Sequence, residues 1–508
     1  MFIMWKLMPI DEQEFRILKE NVSLPEGFLR ILYLRKNRKK EDVENFLYPS
    51  LKSLFSPELL PDYEKGIERI KKAIKGEEKI LIWGHEDLDG ITATVLFYNI
   101  LKDLRAKVSF YIPVKHKKKY GLNIEDLKLF KKEGLDLVIM VDSGTTNFSE
   151  IEEAKNLKVD VIVIDHHEVL EKLPSAIAVI NPKRKDSLYS FRELSGVGVA
   201  FKFAIGLIKE LMEISLEEFY SCKKELFFLT ALGTIADRVP LISENRTIVS
   251  LGTKIFEDLH LPFKMPILNI LEKRKFSVSN FIVYLLPIFA SSEGNKGVRF
   301  FITDNEKEAE EIFQEFQIRS KKWQEEAKRS LEIAEEKKII TDKIIIVRNE
   351  ELSLSCLGYV AGKFIEKYHL PTMVIGKVDE GRYVGECRSD EENSILEILK
   401  LNKEYLIDYG GHKKACGFSI AAEKLNVFVE KVIKDAENMF SFKENFSKEN
   451  FYEAVLEINE RNKKLLSLLP PFGEGNPPPI LLAPKAKDGK DVIYTIDEEN
   501  NIIIKDAF

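Results

Sequence analysis

The sequence has little of what marks a membrane-spanning, secreted or zinc-knuckle protein. No apolar run approaches the roughly 20 residues needed to cross a bilayer. The opening "MFIMWKLMPIDEQEF" is apolar only briefly and turns acidic without a small-residue cleavage site, so no signal peptide is expected. Cysteine is scarce: Cys222, Cys356, Cys387 and Cys416 are scattered without CxxC spacing. That argues against a zinc knuckle and for reduced thiols in a cytoplasmic protein. An excess of one charge is missing too. With 77 Lys+Arg against 83 Asp+Glu the formal net charge is −6, which gives no global pull toward nucleic acid. No internal repeat is apparent.

What is present is an ordinary globular composition, 44% apolar and 31% charged, in a chain of 508 residues that predicts two to four domains. Lysines and glutamates alternate over long stretches and read as solvated faces. One basic run differs: "KHKKKY", 115–120, has no acid beside it, although by itself it reads as a solvated loop. From residue 76 short apolar runs alternate with helical ones: "KILIWG", "ITATVLFYNILKDL", "LDLVIMVDSG", "FSEIEEAKNL", "VDVIVIDHHE". This alternation predicts an α/β fold, a parallel sheet with helices on both faces. In such sheets ligands sit outside the carboxyl ends of the strands. Three polar clusters fall there: His85, Asp87 and Asp89; Asp142; and Asp165, His166 and His167. A fourth, Asp237, follows the helical run "ELFFLTALGTIA".

The domain reading is an N-terminal helical segment, 1–75, packed on a catalytic domain, 76–304. A long amphipathic linking helix, 305–340, leads to a second α/β domain, 341–445. A small β region, 446–508, closes the chain.

One aspartate after a strand is ordinarily a helix cap. Four clusters in chain order, three of them at strand ends, point instead to a metal centre. Carboxylates with neutral imidazoles suit Mn2+ or Mg2+, histidine favouring the softer Mn2+. Two such ions sharing a carboxylate can bind a phosphate, lower the pKa of a water and neutralise a leaving oxygen.

The motifs "GHEDLDGIT", "VDSGT", "VIDHHE", "LGTIADRVPLISENR", "GECRS", "YGGHKKACGFSI" and "PFGEGNP" together resemble the DHH phosphoesterase superfamily and, within it, the RecJ-type single-strand-specific exonucleases. The resemblance covers nearly the whole chain. It implies that His85, Asp87 and Asp142 bind one ion and that Asp89, Asp142, His166 and Asp237 bind the other, with Asp142 bridging. His167 would face the scissile phosphate, and Asp165 would support the histidines. The second domain resembles the DHH-associated domain. There Gly410, Gly411 and His412 would approach the substrate backbone, and Arg388 would clamp a phosphate. Lys115 would add a further phosphate contact. The implied activity is 5′→3′ degradation of single-stranded DNA to mononucleotides in repair and recombination. A helicase and a single-strand-binding protein would supply the substrate, a monomer would suffice, and the terminal region would be an abbreviated oligonucleotide-binding (OB-like) barrel.

Three departures stand out. His85 occupies a position where bacterial relatives often have aspartate. "FASSE", 289–293, replaces an arginine-bearing segment, which leaves Glu293 there and DNA over RNA open. The chain also ends at Phe508, earlier than longer relatives. Two rival functions follow from the residues: a phosphodiesterase for short RNA or oligonucleotides, and a scaffold without catalysis. Activity is expected to fall in mild acid as His85 and His166 take up protons and release metal.

Overall fold

The computed structural model describes residues 5–113, 121–169, 172–390, 392–441, 450–487 and 489–507. The chain divides into two units, Met1–Gln317 with Glu449–Phe508, and Ile318–Lys448.

In the first unit, β1 (Lys79–Trp83), β2 (Lys107–Tyr111), β3 (Leu135–Val141), β4 (Asp160–Ile164) and β5 (Ala178–Ile180) form an all-parallel sheet in the order β2-β1-β3-β4-β5. Alternation along β1 shows why its sequence is apolar throughout. Ile80 and Ile82 enter one buried cluster, Leu81 and Trp83 another, so both faces are covered. Three helices back the first face: α1 (Leu88–Asp103), α2 (Gly196–Met212) and α3 (Lys224–Ala236). They are buried nearly all round, which suits their largely apolar sequences. A further helix, α4 (Ser243–Ile255), packs on α3.

The N-terminal segment serves two cores, not one as the sequence reading has it. Helix Tyr63–Lys75 packs in the sheet's core through Ile67, Ile70 and Ala73. Residues of the three helices between 12 and 47, such as Phe28, Leu32 and Phe46, instead share a core with Leu481, Val492 and Tyr494 of the C-terminal strands. Two buried arginines bind this joint. Arg30 Nε donates to Glu453 O (3.1 Å), and Arg35 pairs with the Glu453 carboxylate. The small β region itself has four strands, Ala454–Val455, Leu481–Lys487, Lys490–Ile496 and Ile502–Ala507, in that order.

The amphipathic run forms α5 (Glu306–Lys337), 32 residues long, and the division between units falls within it. It ends three residues before the expected 340, where Lys338–Ile340 pairs instead as β6. The second unit adds β7 (Ile345–Arg348), β8 (Thr372–Asp379), β9 (Arg382–Arg388), β10 (Leu406–His412) and β11 (Ala415–Ala421). Their order is β10-β11-β9-β8-β7-β6, with only β7 and β8 parallel.

Candidate metal centre

The strand ends deliver the polar residues. Asp142 N still donates to Ile164 O (2.9 Å) and Asp165 N to Ile180 O (3.0 Å), so each carboxylate leaves the sheet at the last ladder bond. Asp142 then turns the chain at φ +55, a left-handed conformation uncommon for a side chain larger than glycine. His85 and Asp87 precede α1, and Asp87 caps that helix by accepting from Gly90 N (2.9 Å). Asp89 lies in its first turn, 2% exposed. It accepts from Gly196 N (2.7 Å) and Val197 N (2.8 Å), the free amides that begin α2. Only glycine fits at 196, because a Cβ there would lie 2.2 Å from Asp142 Oδ1.

The ligand atoms converge. His85, Asp87 and Asp142 each present one within 4.8 Å of the others, and so do Asp89, His166 and Asp237. His85 Nδ1 lies 3.0 Å from Asp87 Oδ2 and 3.7 Å from Asp142 Oδ2. His166 connects the groups, with Nε2 3.2 Å from Asp142 Oδ1 and Nδ1 3.7 Å from Asp237 Oδ2. Asp142, His166 and His167 make a third such set. Asp142 Oδ1 and Asp237 Oδ2 are buried without a hydrogen-bond partner among the described residues. Orphaned carboxylate oxygens facing the His166 imidazole are what a divalent cation would satisfy, so the residues fit such a group.

Charge makes the same point. Burial and the neighbouring Asp237 push Asp89 up to about 7; burial and Asp87 push Asp237 up to about 7. Burial and Asp89 hold Asp142 well above the usual carboxylate range. His166 goes the other way, lowered by burial and by His167, which favours the neutral imidazole a metal needs.

Asp165 sits behind the histidines. Its Oδ1 accepts from His166 N (2.8 Å) and His167 N (3.2 Å) and lies 2.7 Å from His167 Nδ1, while Oδ2 accepts from Thr145 N (2.9 Å). Although burial opposes it, the pairing with His167 keeps Asp165 ionised far below its ordinary value. In return, and against burial, Asp165 lifts His167 to about 9. Asp165→Asn is expected to return His167 to its ordinary range, seen by NMR titration, and to lower turnover about 10- to 100-fold with the fold retained. An unshifted His167 would count against this arrangement.

Sequence reading passed over Asn181, Thr145 and Ser195. Asn181 Nδ2 donates to His167 O (2.9 Å) and Thr145 Oγ1 (3.1 Å), and Ser195 caps α2 below Asp89 by accepting from Gly198 N (3.1 Å). "NPKRKD" and "LSGVG" carried the signal, as a polar residue at a strand end and a cap before an apolar helix.

In the second unit Arg388 and His412 both lie opposite Ala415, on the two strands flanking β11, and Gly411 opposite Cys416. Register thus gathers Arg388 and Gly410–His412 at one end of the sheet. Gly411 has φ +122, which a side chain would strain. Arg388 Nη1 donates to Cys387 O (2.8 Å) and pairs with Glu386 (3.4 Å). Lys115 and the side chain of His412 lie outside the described residues. Glu293 precedes helix Gly294–Ile302, and the neighbouring Phe289 is buried against Phe300, Phe301 and Phe313.

Residues 79–234 match the DHH family, N-terminal domain, and residues 339–438 the DHHA1 domain. The single-stranded-DNA-specific exonuclease RecJ of Bacillus subtilis is 30% identical over 497 residues; the match takes in 95% of this chain, which spans 62% of that relative's length. The manganese complex of RecJ from Thermus thermophilus superposes with a TM-score of 0.79 at 23% identity, over 99% of this chain and 74% of that one. A second manganese-bound exonuclease RecJ gives 0.65 at 25% identity, over 75% and 96%.

Proposed function

Because the chain belongs to the DHH family and is RecJ-like along almost its whole length, we propose that it is a divalent-metal-dependent 5′→3′ exonuclease that degrades single-stranded DNA to mononucleotides. The observation that carries this is the pair of acid–histidine groups converging at the strand ends around Asp142 and His166. His85, Asp87 and Asp142 would hold one Mn2+ or Mg2+, and Asp89, Asp142, His166 and Asp237 the other. A manganese-bound exonuclease RecJ of similar fold supports that choice of ion. When bound, such ions polarise the phosphate and make a water nucleophilic near neutral pH.

The chain's own residues do the rest. Asp142 is shared between the groups and fixes their spacing. Asp165 orients both histidines through its three contacts on one oxygen. His167, half-exposed and oriented by Asp165, would present its ring to a phosphate oxygen. Arg388 and the Gly410–His412 strand would grip the substrate backbone, and Lys115 would add a cation to it.

Among the described residues no helix is long and apolar enough to cross a membrane. We place the protein in the cytoplasm, in DNA repair and recombination, as a monomer fed by a helicase and a single-strand-binding protein. A time course with 5′- and 3′-labelled single strands and a matched duplex, in Mn2+ and then in EDTA, tests the proposal. Early release of mononucleotide from the 5′ label alone, absent in EDTA and on blunt duplex, is expected. Digestion of short RNA only, or 3′ release first, would refute it.

A further inference from the structure

Arg246 is the most deeply buried arginine, 2% exposed, and among the described residues no carboxylate pairs with it. Its five N–H groups are all spent on carbonyls. Nε donates to Phe46 O (2.8 Å), Nη1 to Leu469 O (2.8 Å) and Pro471 O (3.5 Å), and Nη2 to Leu468 O (2.9 Å) and Pro470 O (2.9 Å). The guanidinium also lies 3.7 Å from the centroid of the Phe46 ring. Four consecutive carbonyls of the C-terminal region therefore wrap around one side chain of α4. Asn476 ties the same loop from within, through Leu469 O and Pro471 O (both 2.9 Å).

That loop reaches back toward the metal centre. Glu474 O accepts from Leu241 N (2.7 Å), four residues beyond Asp237. Gly475, at φ +70, lies so close to Pro240 that a Cβ would stand 3.0 Å from its Cβ. Asn245 holds the same turn from the other side by donating to Pro240 O (3.1 Å). The turn begins at Arg238, itself at φ +57, immediately after Asp237. Asp237 ends α3, so the direction of its carboxylate depends on where the next four residues run.

We infer that Arg246 and the loop Leu468–Asn476 are a positioning device for Asp237, through which the C-terminal β region sets the metal affinity of the catalytic domain. The inference rests on the reading of Asp237 as a metal ligand. A support one step removed from a ligand is typically worth about 10- to 100-fold in affinity.

The test is Mn2+ binding to the full-length metal-free protein by titration calorimetry, with Mn2+ half-saturation and saturated turnover of nuclease activity read in parallel. Arg246→Lys keeps the charge but leaves carbonyls unpaired. Gly475→Ala strains the loop without touching Arg246 and serves if the first variant fails to fold. Both are expected to weaken Mn2+ binding about 10-fold and to raise half-saturation alike, with turnover at saturating Mn2+ close to the parent. Leu127→Ala, in a buried cluster that holds no residue of α3, α4 or the loop, is the control for general destabilisation. Unchanged affinity in both variants, or an equal loss in Leu127→Ala, would overturn the inference. Asp237→Asn separates the two levels: unchanged Mn2+ binding there would overturn the ligand reading itself, and the inference with it.

Discussion

Asp142→Asn is expected to lower exonuclease turnover by about 10³-fold or more while making the metal-free protein more stable. Both effects come from one carboxylate. Asp142 is the residue whose two oxygens face both ligand groups, one toward His85 (3.7 Å) and one toward His166 (3.2 Å). Removing its charge weakens both ions at once, and metal-ion charge stabilisation is worth several kcal/mol, or about a factor of ten per 1.4 kcal/mol.

Without metal the same carboxylate is a liability. It is 2% exposed, an oxygen lacks a partner, and burial with Asp89 and the other acids holds its pKa well up. Each pKa unit of such repulsion is worth about 1.4 kcal/mol. An asparagine keeps the shape and tolerates the φ of +55. Thermal unfolding in EDTA should therefore show a higher Tm for the variant, and added Mn2+ should raise its Tm far less than the parent's. A lower Tm in EDTA with full activity would mean that Asp142 is a structural residue.

Much of this site was legible because its chemistry lies at strand ends. An apolar run that stops at Gly84, Val141 or Ile164 and hands over to acids and histidines can be read without knowing what the strands pair with. The edge strand Lys107–Tyr111 escaped notice because its residues are only half-buried and carry no strong pattern. Partners distant in sequence were illegible for another reason. Nothing near Asp89 indicates that the amides of Gly196 and Val197, over 100 residues away, receive it. Likewise Arg35, Lys202 and Arg246 resemble the solvated cations around them. They are buried because Glu453, Glu244 and the carbonyls of 468–471 come to meet them from remote segments. The chain ends illustrate the same limit: helices before residue 48 and strands after 453 are apolar enough to need cover, but only the fold shows that they cover each other.

The stabilisation conferred by Mn2+ should grow steeply between pH 5 and pH 8. Asp89 and Asp237 stand near 7 in the folded protein, well above an ordinary aspartate. A carboxyl raised in this way stabilises the fold while protonated. Its contribution is fully present below about pH 4 and is lost as pH rises through about 7. About 3 pKa units correspond to on the order of 4 kcal/mol, so the metal-free protein is weakest where the site is fully ionised. A cation must displace these protons at pH 5 and finds most of them gone at pH 8. His85, raised by Asp87 against its burial, shifts in the same direction. His166 does not, since burial and His167 lower it, so Asp89, Asp237 and His85 carry the pH dependence, in place of the His85 and His166 pair that the sequence suggests. Differential scanning calorimetry with and without saturating Mn2+ should give a Tm increment several-fold larger at pH 8 than at pH 5. Titration in buffers of different ionisation enthalpy at pH 6 should show protons released on binding. An increment independent of pH, with no proton release, would mean that these carboxylates ionise normally and do not share a cation.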